Sequence, residues 1–487
     1  MNRPVRRVAL AMLVLFGLLV ANANYVQVFQ GDSLRSDPGN TRVLLDEYER
    51  QRGTLVVDGR PAAESVETDD KLKYLRRYPD KGKYAAVTGF YSLIYGATGL
   101  EQTQNSFLSG SDNRLFTRRL SRLLTGRDPV GGNVVLTLNS KAQQRALEGL
   151  GDRRGAVVAM DPSTGAILAM YSSPSYDPNP VSSHEPGSIR AAYNRLTDAA
   201  DDPLLNRAIN QRYPPGSTFK VVVAAAALAN GRSPDTVVDC PHRYPLPGTR
   251  TLLRNFGDET CGGKDRVTLQ NALTNSYNTA FAKLGVDLGE QEVRRAAAGF
   301  GIGTGEPLET PLRVSPSSLG DIGDDAALAQ SSIGQRDVAL TPLQGAMIAS
   351  AVANRGVLMQ PYLVSQLQAP DLTVLDETDP KELSTATTPE VADQLTQMMR
   401  SVVQNGTGRK AQIPGVEVAG KTGTAENAQG AQPHAWFIGF AKNGGKQVAV
   451  SVIIENGGNS GSEATGGEAA APIARDVMQA IVGAGGG

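Results

Sequence analysis

The sequence is poor in the residues on which several kinds of functional site depend. It contains two cysteines, three histidines and one tryptophan among 487 residues, and aromatic residues make up 5%. This excludes a disulfide-rich scaffold and argues against a cysteine-rich zinc site or an aromatic carbohydrate-binding surface. His184, His242 and His434 show no metal-ligand spacing, so neither a metal nor a cofactor is expected.

The sequence also lacks an excess of either charge. Lys and Arg total 48, Asp and Glu total 49, and the formal net charge is −1. A nucleic-acid-binding protein needs a basic face, so we expect no nucleic-acid partner. The length allows about three domains, or two with one of them large. With 40% hydrophobic residues, a substantial core can form.

A single long apolar run lies at the N-terminus and determines the predicted compartment. Three arginines among the first seven residues precede an apolar stretch from Val8 to Ala21, and apolar character resumes up to Phe29. One interpretation is a cleaved signal peptide, because Ala21-Asn22-Ala23 resembles a cleavage site. The resumed apolar character favours an uncleaved anchor over residues 1–29. We therefore expect one span of the cytoplasmic membrane, with the rest of the chain on the extracytoplasmic side.

Both cysteines lie in the part of the chain predicted to be outside the cytoplasm. Cys240 and Cys261 are 21 residues apart. A bridge closing such a loop contributes about 3 kcal/mol in the chain-entropy model. Two unrelated buried thiols are the alternative, and we favour the bridge because disulfides persist in an oxidising compartment.

The remaining chain divides into two parts. Residues 30–130 are polar and lack a strong period, which predicts a small, elongated, non-catalytic module. Residues 131–487 place strands at both ends and helices between them, which predicts one α+β domain whose sheet is built from distant segments, with a helical insertion against it. The predicted strands are 133–138, 155–160, 166–171, 416–424, 435–441 and 447–455, and the predicted helices are 140–150, 220–229, 269–285, 342–353, 391–404 and 470–482.

The first motif with chemical potential is Ser217 and Lys220. Pro214-Pro215-Gly216 precedes a Val/Ala run, which predicts a helix with Ser217 at its N-terminus and Lys220 one turn later on the same face. A serine hydroxyl is a poor nucleophile until a base takes its proton, and lysine is such a base only when burial or a neighbouring cation keeps it neutral. The alternative is a capping serine beside an exposed lysine, and an S-x-x-K match is weak by itself.

The second motif, Ser276-Tyr277-Asn278, lies in a polar interruption of a helical stretch. A hydroxyl and an amide two residues apart could relay a proton and hold a substrate amide. Taken alone, the pattern fits a helix–helix junction capped by Asn and Ser better.

The third motif is Gly420-Lys421-Thr422-Gly423-Thr424, on a predicted strand. Lys421 supplies a fixed positive charge, and Gly423 allows close approach of a ligand to the backbone. The strand edge could pair with an extended peptide and direct an N–H group at a developing oxyanion. A Gly-Thr turn between strands is the alternative.

The same segment also matches a phosphate-binding loop, since residues 415–422 fit G-x-x-x-x-G-K-[ST]. Such a loop follows an apolar strand and opens a helix. Here Val416-Glu417-Val418 alternates like a strand, and the residues after Gly423 form a poor helix. An NTPase is therefore the weaker hypothesis.

Taken in order, S-x-x-K, S-x-N and K-T-G are the signature of penicillin-binding proteins and serine β-lactamases. The chain resembles class B penicillin-binding proteins over nearly its whole length, and the actinobacterial PbpA branch most. Further stretches that carry the resemblance are residues 52–54, 96–101, 161–165, 173–179, 206–208, 334–335, 341–344, 406–408 and 435–439. Asn139 stands where the family often has Asp, and we expect it to cap a helix without catalytic meaning.

The resemblance implies a penicillin-binding/serine β-lactamase-like transpeptidase domain over 131–487, mainly an antiparallel sheet with helices and a helical subdomain. Residues 30–130 would be a pedestal or dimerisation-type module. The implied activity is a serine D,D-transpeptidase that cross-links peptidoglycan stem peptides ending in D-Ala-D-Ala, with β-lactams as covalent inhibitors. The implied partner is a membrane glycosyltransferase of the shape–division type, and whether the role is septal or in elongation stays open.

The resemblance also implies a role for each motif residue. Ser217 would be the nucleophile and Lys220 its base, while the Ser217 and Thr424 N–H groups would form the oxyanion hole. Ser276 would pass the proton to the leaving D-Ala, assisted by Asn278 and Lys421. The substrate-binding strand would comprise Lys421, Thr422, Gly423 and Thr424, with the first two and Thr424 holding the terminal carboxylate.

Two other functions fit parts of the pattern. A secreted serine β-lactamase would fill about 270 residues, so it leaves the N-terminal module unexplained. A non-catalytic β-lactam sensor would need a cytoplasmic output domain, and a pure scaffold would be expected to have lost Ser217 or Lys220. The lifetime of a penicillin adduct separates the two enzymes, and absence of any adduct indicates the scaffold.

Overall fold

The computed structural model of the chain describes residues 2–28, 30, 48–116, 130–305, 308, 310–425, 432–457 and 465–483. Residues 31–47 and 117–129 of the predicted N-terminal module, and Phe29 of the predicted anchor, lie outside the described residues. The α-helices of the described residues are α1 Asn2–Val28, α2 Ala85–Thr88, α3 Gly99–Thr103, α4 Asn105–Leu108, α5 Ser140–Leu150, α6 Pro186–Thr197, α7 Lys220–Ala229, α8 Leu269–Thr274, α9 Asn278–Leu288, α10 Glu290–Gly299, α11 Asp325–Ser331, α12 Pro342–Ala353, α13 Pro389–Asn405 and α14 Ala471–Val482.

The β-strands of the same residues run antiparallel to their sheet neighbours with one exception, the parallel pair β1 and β6. Their bounds are β1 Leu55–Val57, β2 Arg60–Glu67, β3 Tyr74–Arg77, β4 Tyr91–Ser92, β5 Gly96–Ala97, β6 Asn133–Leu136, β7 Gly155–Met160, β8 Ile167–Ser173, β9 Val237–Asp239, β10 Arg243–Pro245, β11 Leu252–Arg254, β12 Arg266–Thr268, β13 Val357–Met359, β14 Val364–Gln368, β15 Val374–Glu377, β16 Glu382–Thr385, β17 Glu417–Ala425, β18 His434–Asn443 and β19 Lys446–Ile454.

The N-terminal helix α1 contains the 25-residue stretch Arg3–Gln27, in which an 18-residue window has a mean hydropathy of 1.9 and no buried residues. About 20 apolar residues suffice to cross a bilayer as a helix. Length and composition therefore fit the predicted anchor, and a signal sequence would satisfy the same test.

The central sheet has five strands in the order β17-β18-β19-β7-β8. It joins the hairpin after residue 154 to three strands near the C-terminus, which confirms the prediction of a sheet built from distant segments for five of the six predicted strands. The strand predicted over 133–138 belongs to another sheet, so placing all six in one sheet was wrong. Alternating side chains bury both faces: α5 and α14 pack on one face, and α12 packs on the other. The α+β prediction is confirmed.

The helical subdomain packs on the α12 side of this sheet. Its helix α7 is buried from Lys220 to Leu228, as expected for a helix that is apolar all round. The single helix predicted over 269–285 is wrong in detail, because two helices, α8 and α9, occupy this stretch. Ser276 has φ +62°, a left-handed conformation that an α-helix cannot contain. The second motif therefore lies in a sharp turn between helices.

A second sheet has the order β15-β14-β6-β1-β2-β3. It contains β1 to β3 of the N-terminal module, and also β6, β14 and β15 from the other side of residue 130. The predicted boundary at 130/131 stays a prediction, and the strands on its two sides share hydrogen bonds. Period-2 patterns reveal strands but not their partners, so this pairing was not predicted.

A buried ion cluster lies within the N-terminal module. The Glu101 carboxylate accepts hydrogen bonds from Arg52 Nε at 2.7 Å and from Arg76 Nε at 2.6 Å. The three side chains are at most 4% exposed. The Arg52 guanidinium also lies 4.2 Å from the Tyr91 ring centroid. These contacts explain why Arg52 and Glu101 occur in stretches that carry the resemblance: together they hold β3 and α3 to the segment before β1.

Two local predictions are confirmed by the structure. Cys240 and Cys261 form a disulfide. Asn139 caps α5, since its Oδ1 accepts hydrogen bonds from the Lys141 N–H at 3.1 Å and the Ala142 N–H at 2.9 Å.

Candidate active site

The serine of the first motif lies in a short turn rather than in the helix itself. Gly216–Phe219 forms a 3₁₀ turn, and the α-helix begins at Lys220. Gly216 has φ +53°, and a Cβ there would lie 2.7 Å from the Thr424 carbonyl oxygen. A side chain would therefore push the turn away from β17, the strand that carries the third motif. Ser217, beside Gly216 in this turn, is half-buried.

Lys220 is fully buried and joins the first motif to the second. Its Nζ donates to the Ser276 carbonyl oxygen at 2.7 Å and to Asn278 Oδ1 at 2.7 Å, and it lies 3.4 Å from Ser276 Oγ. Burial lowers the pKa of Lys220 well below its ordinary value, and the charge of Lys421 lowers it further. The fold thus favours the uncharged form of the amine, which the sequence argument requires.

Lys421 joins the second motif to the third. Its Nζ donates to Ser276 Oγ at 2.8 Å and to the Thr422 carbonyl oxygen at 2.9 Å. Burial lowers the pKa of Lys421 to about 7. An amine with this pKa is partly charged at neutral pH, which differs from the fixed positive charge expected from the sequence. Ser276 Oγ lies between the two amines, which suits a hydroxyl that relays a proton.

The third motif lies within strand β17, which pairs with β18 along its whole length. A phosphate-binding loop is thereby contradicted, since Gly420 to Thr422 are extended and hydrogen-bonded in a sheet. A Cβ on Gly423 would lie 2.8 Å from the Pro215 carbonyl oxygen and 2.9 Å from Thr218 Cγ2. Gly423 therefore permits close approach of the nucleophile turn.

One residue near the third motif was missed in the sequence argument. Thr407 Oγ1 lies 2.6 Å from Thr422 Oγ1, and Thr407 is exposed. Its only signal was the Gly406-Thr407-Gly408 stretch within the resemblance. The structure thus brings the three motifs to one place. The first lies in the turn before α7, the second in the turn between α8 and α9, and the third on β17, and the buried amines of Lys220 and Lys421 link them.

Comparison with known families and relatives agrees with this geometry. The family model described as the penicillin-binding protein transpeptidase domain matches residues 155–479. The model described as the penicillin-binding protein A dimerisation domain matches residues 52–134.

Full-length relatives are also similar. The peptidoglycan D,D-transpeptidase PbpA of Mycolicibacterium smegmatis is 49% identical over 490 residues, covering 99% of each chain. PbpA of Mycobacterium tuberculosis is 48% identical over the same coverage.

Among solved structures, penicillin-binding protein A from M. tuberculosis as a ceftriaxone acyl-enzyme complex superposes with a TM-score of 0.88 and 47% identity, covering 90% of this chain and 100% of that one. Its penicillin G acyl-enzyme complex gives a TM-score of 0.85 at 47% identity, covering 88% and 99%. The chain therefore belongs to the class B penicillin-binding protein transpeptidases, in the actinobacterial PbpA branch.

Proposed function

We propose that the chain is a peptidoglycan D,D-transpeptidase that acts in cell-wall synthesis through an acyl-enzyme on Ser217. The observation that carries the proposal is the environment of Lys220, whose buried Nζ is held by neutral oxygens of Ser276 and Asn278. Such an amine can take a proton from the hydroxyl that lies one turn before it. Further support comes from the relatives at 48–49% identity, which carry this activity in their names.

In the acylation step, the donor is a stem peptide ending in D-Ala-D-Ala. Lys220 Nζ takes the Ser217 hydroxyl proton while Ser217 Oγ bonds to the penultimate D-Ala carbonyl carbon. The oxyanion forms between the N–H groups of Ser217 and Thr424. These groups belong to the two segments that pack closely at Gly216 and Gly423.

Collapse of the intermediate breaks the peptide C–N bond. The departing D-Ala nitrogen takes a proton from Ser276 Oγ–H, and that oxygen regains one from the amine of Lys220 or Lys421, which lie 3.4 Å and 2.8 Å away. The product is an ester between Ser217 and the donor. Lys421, Thr422 and Thr424 hold the terminal carboxylate before D-Ala leaves.

In the transfer step, an amine of a second stem peptide attacks the ester carbonyl. Its proton passes to Lys220, a new amide forms, and Ser217 leaves with its proton restored. A β-lactam acylates Ser217 in the same way, but its ring-opened leaving group stays attached and blocks the amine. The adduct therefore persists.

The proposed site of action is the outer face of the cytoplasmic membrane, with α1 as a single-pass anchor. The arginines at the start of α1 support an orientation with that end inside. The proposed partner is a shape–division-type membrane glycosyltransferase, which would contact α1 and the N-terminal module.

The test is intact-mass analysis of the purified full-length chain after incubation with penicillin G. We expect one adduct per chain that persists for hours, and none in Ser217→Ala. An adduct lost within seconds would indicate a β-lactamase, and a wild-type chain without any adduct would contradict the proposal.

A further inference from the structure

A second buried carboxylate lies close to the nucleophile turn and takes no part in the steps above. Glu455 follows β19 directly and is 9% exposed. Its Oε1 accepts hydrogen bonds from Arg207 Nε at 2.9 Å and Tyr213 Oη at 2.7 Å, and its Oε2 lies 3.0 Å from Arg154 Nε. The carboxylate is thus paired by two guanidinium groups and also fixes one tyrosine hydroxyl.

Tyr213 lies four residues before Ser217, at the start of the nucleophile segment. Its backbone exchanges both hydrogen bonds with Leu340, each at 2.9 Å. Its ring meets Trp436 and His434 edge-on, with centroids 6.1 Å and 5.4 Å apart. The side chain is 3% exposed, so its direction is set by packing as well as by Glu455.

The same surroundings hold the strand that carries the third motif. Trp436 lies opposite Gly423 in the β17–β18 pair, and its Nε1–H donates to the Pro214 carbonyl oxygen at 3.0 Å. His434 Nδ1 accepts the N–H of Asn456, next to Glu455, at 3.1 Å. One cluster therefore holds the segment before Ser217 on one side and β18, the partner of β17, on the other.

The distance between these two segments matters for the reaction. The two proposed oxyanion donors, the N–H groups of Ser217 and Thr424, belong to different segments, and hydrogen-bond donors stabilise an oxyanion only at about 2.7–3.1 Å. Gly216 and Gly423 let the two segments approach closely at the contact itself. Tyr213 and Trp436 hold the same two segments beside this contact.

We propose that Tyr213, fixed by Glu455, is a positioning residue that holds the Ser217 turn at its working distance from β17. The inference rests on the proposed acyl-transfer function and assigns Tyr213 no contact with substrate. Loss of its hydroxyl leaves the ring packed against Trp436 but frees the turn to shift. Such a shift slows the covalent step and leaves the initial binding of the ligand nearly unchanged.

The chain offers a matched control for a purely structural role. Tyr78 Oη lies 3.3 Å from Glu101 Oε1, and Glu101 is paired with two buried arginines. At Glu455 one of the two arginines is buried and the other, Arg154, is 43% exposed. Tyr78 is 1% exposed and belongs to the N-terminal module. Tyr78→Phe and Tyr213→Phe therefore each remove a buried tyrosine–carboxylate hydrogen bond, and only the one at Tyr213 adjoins the nucleophile turn.

The experiment measures acylation of the full-length chain by a chromogenic cephalosporin in stopped flow, which separates the dissociation constant of the first complex from the acylation rate constant. We expect Tyr213→Phe to lower the rate constant about tenfold and to leave the dissociation constant within about twofold. Tyr78→Phe should leave both at the wild-type values. Thermal unfolding of both variants shows that each is folded.

Three results would overturn the inference while leaving the proposed function intact. These are an undiminished rate constant in Tyr213→Phe, an equal loss in both variants, and a change confined to the dissociation constant. A wild-type chain that is never acylated would overturn the proposed function, and this inference with it.

Discussion

Two regions of the molecule bury pairs of basic side chains, and they differ in whether those side chains have a negatively charged partner. In the N-terminal module, Arg52 and Arg76 enclose the carboxylate of Glu101. At the active site, the hydrogen bonds described for Lys220 and Lys421 go to hydroxyl, amide and carbonyl oxygens. The first region pairs its charges, and the second leaves its amines with neutral partners.

The pKa values follow from this difference. Burial by itself would raise the pKa of Glu101, but the charges of Arg76 and Arg52 outweigh it and the pKa is lowered. Burial lowers the pKa of both lysines without a counter-ion to oppose it. A buried ion pair keeps its charges and supports structure, whereas a buried amine among neutral oxygens loses its proton and becomes a base.

The largest expected effect comes from removing the unpaired amine. Lys220→Met keeps an unbranched side chain but takes away the proposed base, and we expect acylation by penicillin G to slow about a thousandfold. Stopped flow and intact mass measure it. Lys283→Met, on the neighbouring helix α9, is the control and should acylate normally. Normal acylation of Lys220→Met would remove lysine from the role of base.

A second variant removes the carboxylate from the buried ion cluster of the N-terminal module. Glu101→Gln leaves Arg52 and Arg76 buried without a counter-charge, which should lower the free energy of unfolding by about 3–5 kcal/mol. Denaturant titration measures this loss, and acylation of the folded fraction should stay unchanged. Glu64→Gln, which removes the half-buried partner of the exposed Arg77, should cost less than about 1 kcal/mol. Equal losses in the two variants would contradict the comparison.

A third variant gives the buried lysine of the active site a negatively charged partner, as in the N-terminal module. Asn278→Asp places a carboxylate where an amide oxygen now lies 2.7 Å from Lys220 Nζ. The new charge raises the pKa of Lys220, so the amine holds its proton at neutral pH. We expect acylation to slow about a hundredfold at pH 7 and to recover as the pH rises. Asn275→Asp, in the same turn but exposed, is the control and should have little effect on acylation. Normal acylation by Asn278→Asp would show that the charge of Lys220 does not control the acylation rate.

Much of the central fold could be predicted from local patterns. The Val/Ala run predicts α7 at both of its ends, and the helix predicted over 342–353 is α12 with the same bounds. The strands predicted over 155–160 and 166–171 are β7 and β8, which pair with each other. The motif order placed Ser217, Ser276 and Lys421 at one site before any contact was known. The helices and strands depend on neighbours in the chain, which the sequence displays directly, whereas the shared site came from the family resemblance.

The remaining features depend on partners far away in the chain. The pairing of β14 with β6 and the contact between Thr407 and Thr422 leave no periodic signal. Glu455 reads as a polar residue at a strand end, and only the fold brings Arg207 and Tyr213 to it. The lowered pKa of Lys421 was also hidden, because burial of a lysine on a strand cannot be read from its spacing.

The charge state of Lys220 is tested most directly by the pH dependence of the acylation rate constant in the wild-type chain. The base must be neutral, so the rate constant rises with pH only up to the pKa of Lys220. Because that pKa lies well below the ordinary 10.5, we predict a rate constant that levels off well before the pH reaches 10.5. A rate constant that keeps climbing about tenfold per pH unit up to pH 10.5 would show an ordinary, charged lysine and contradict the account.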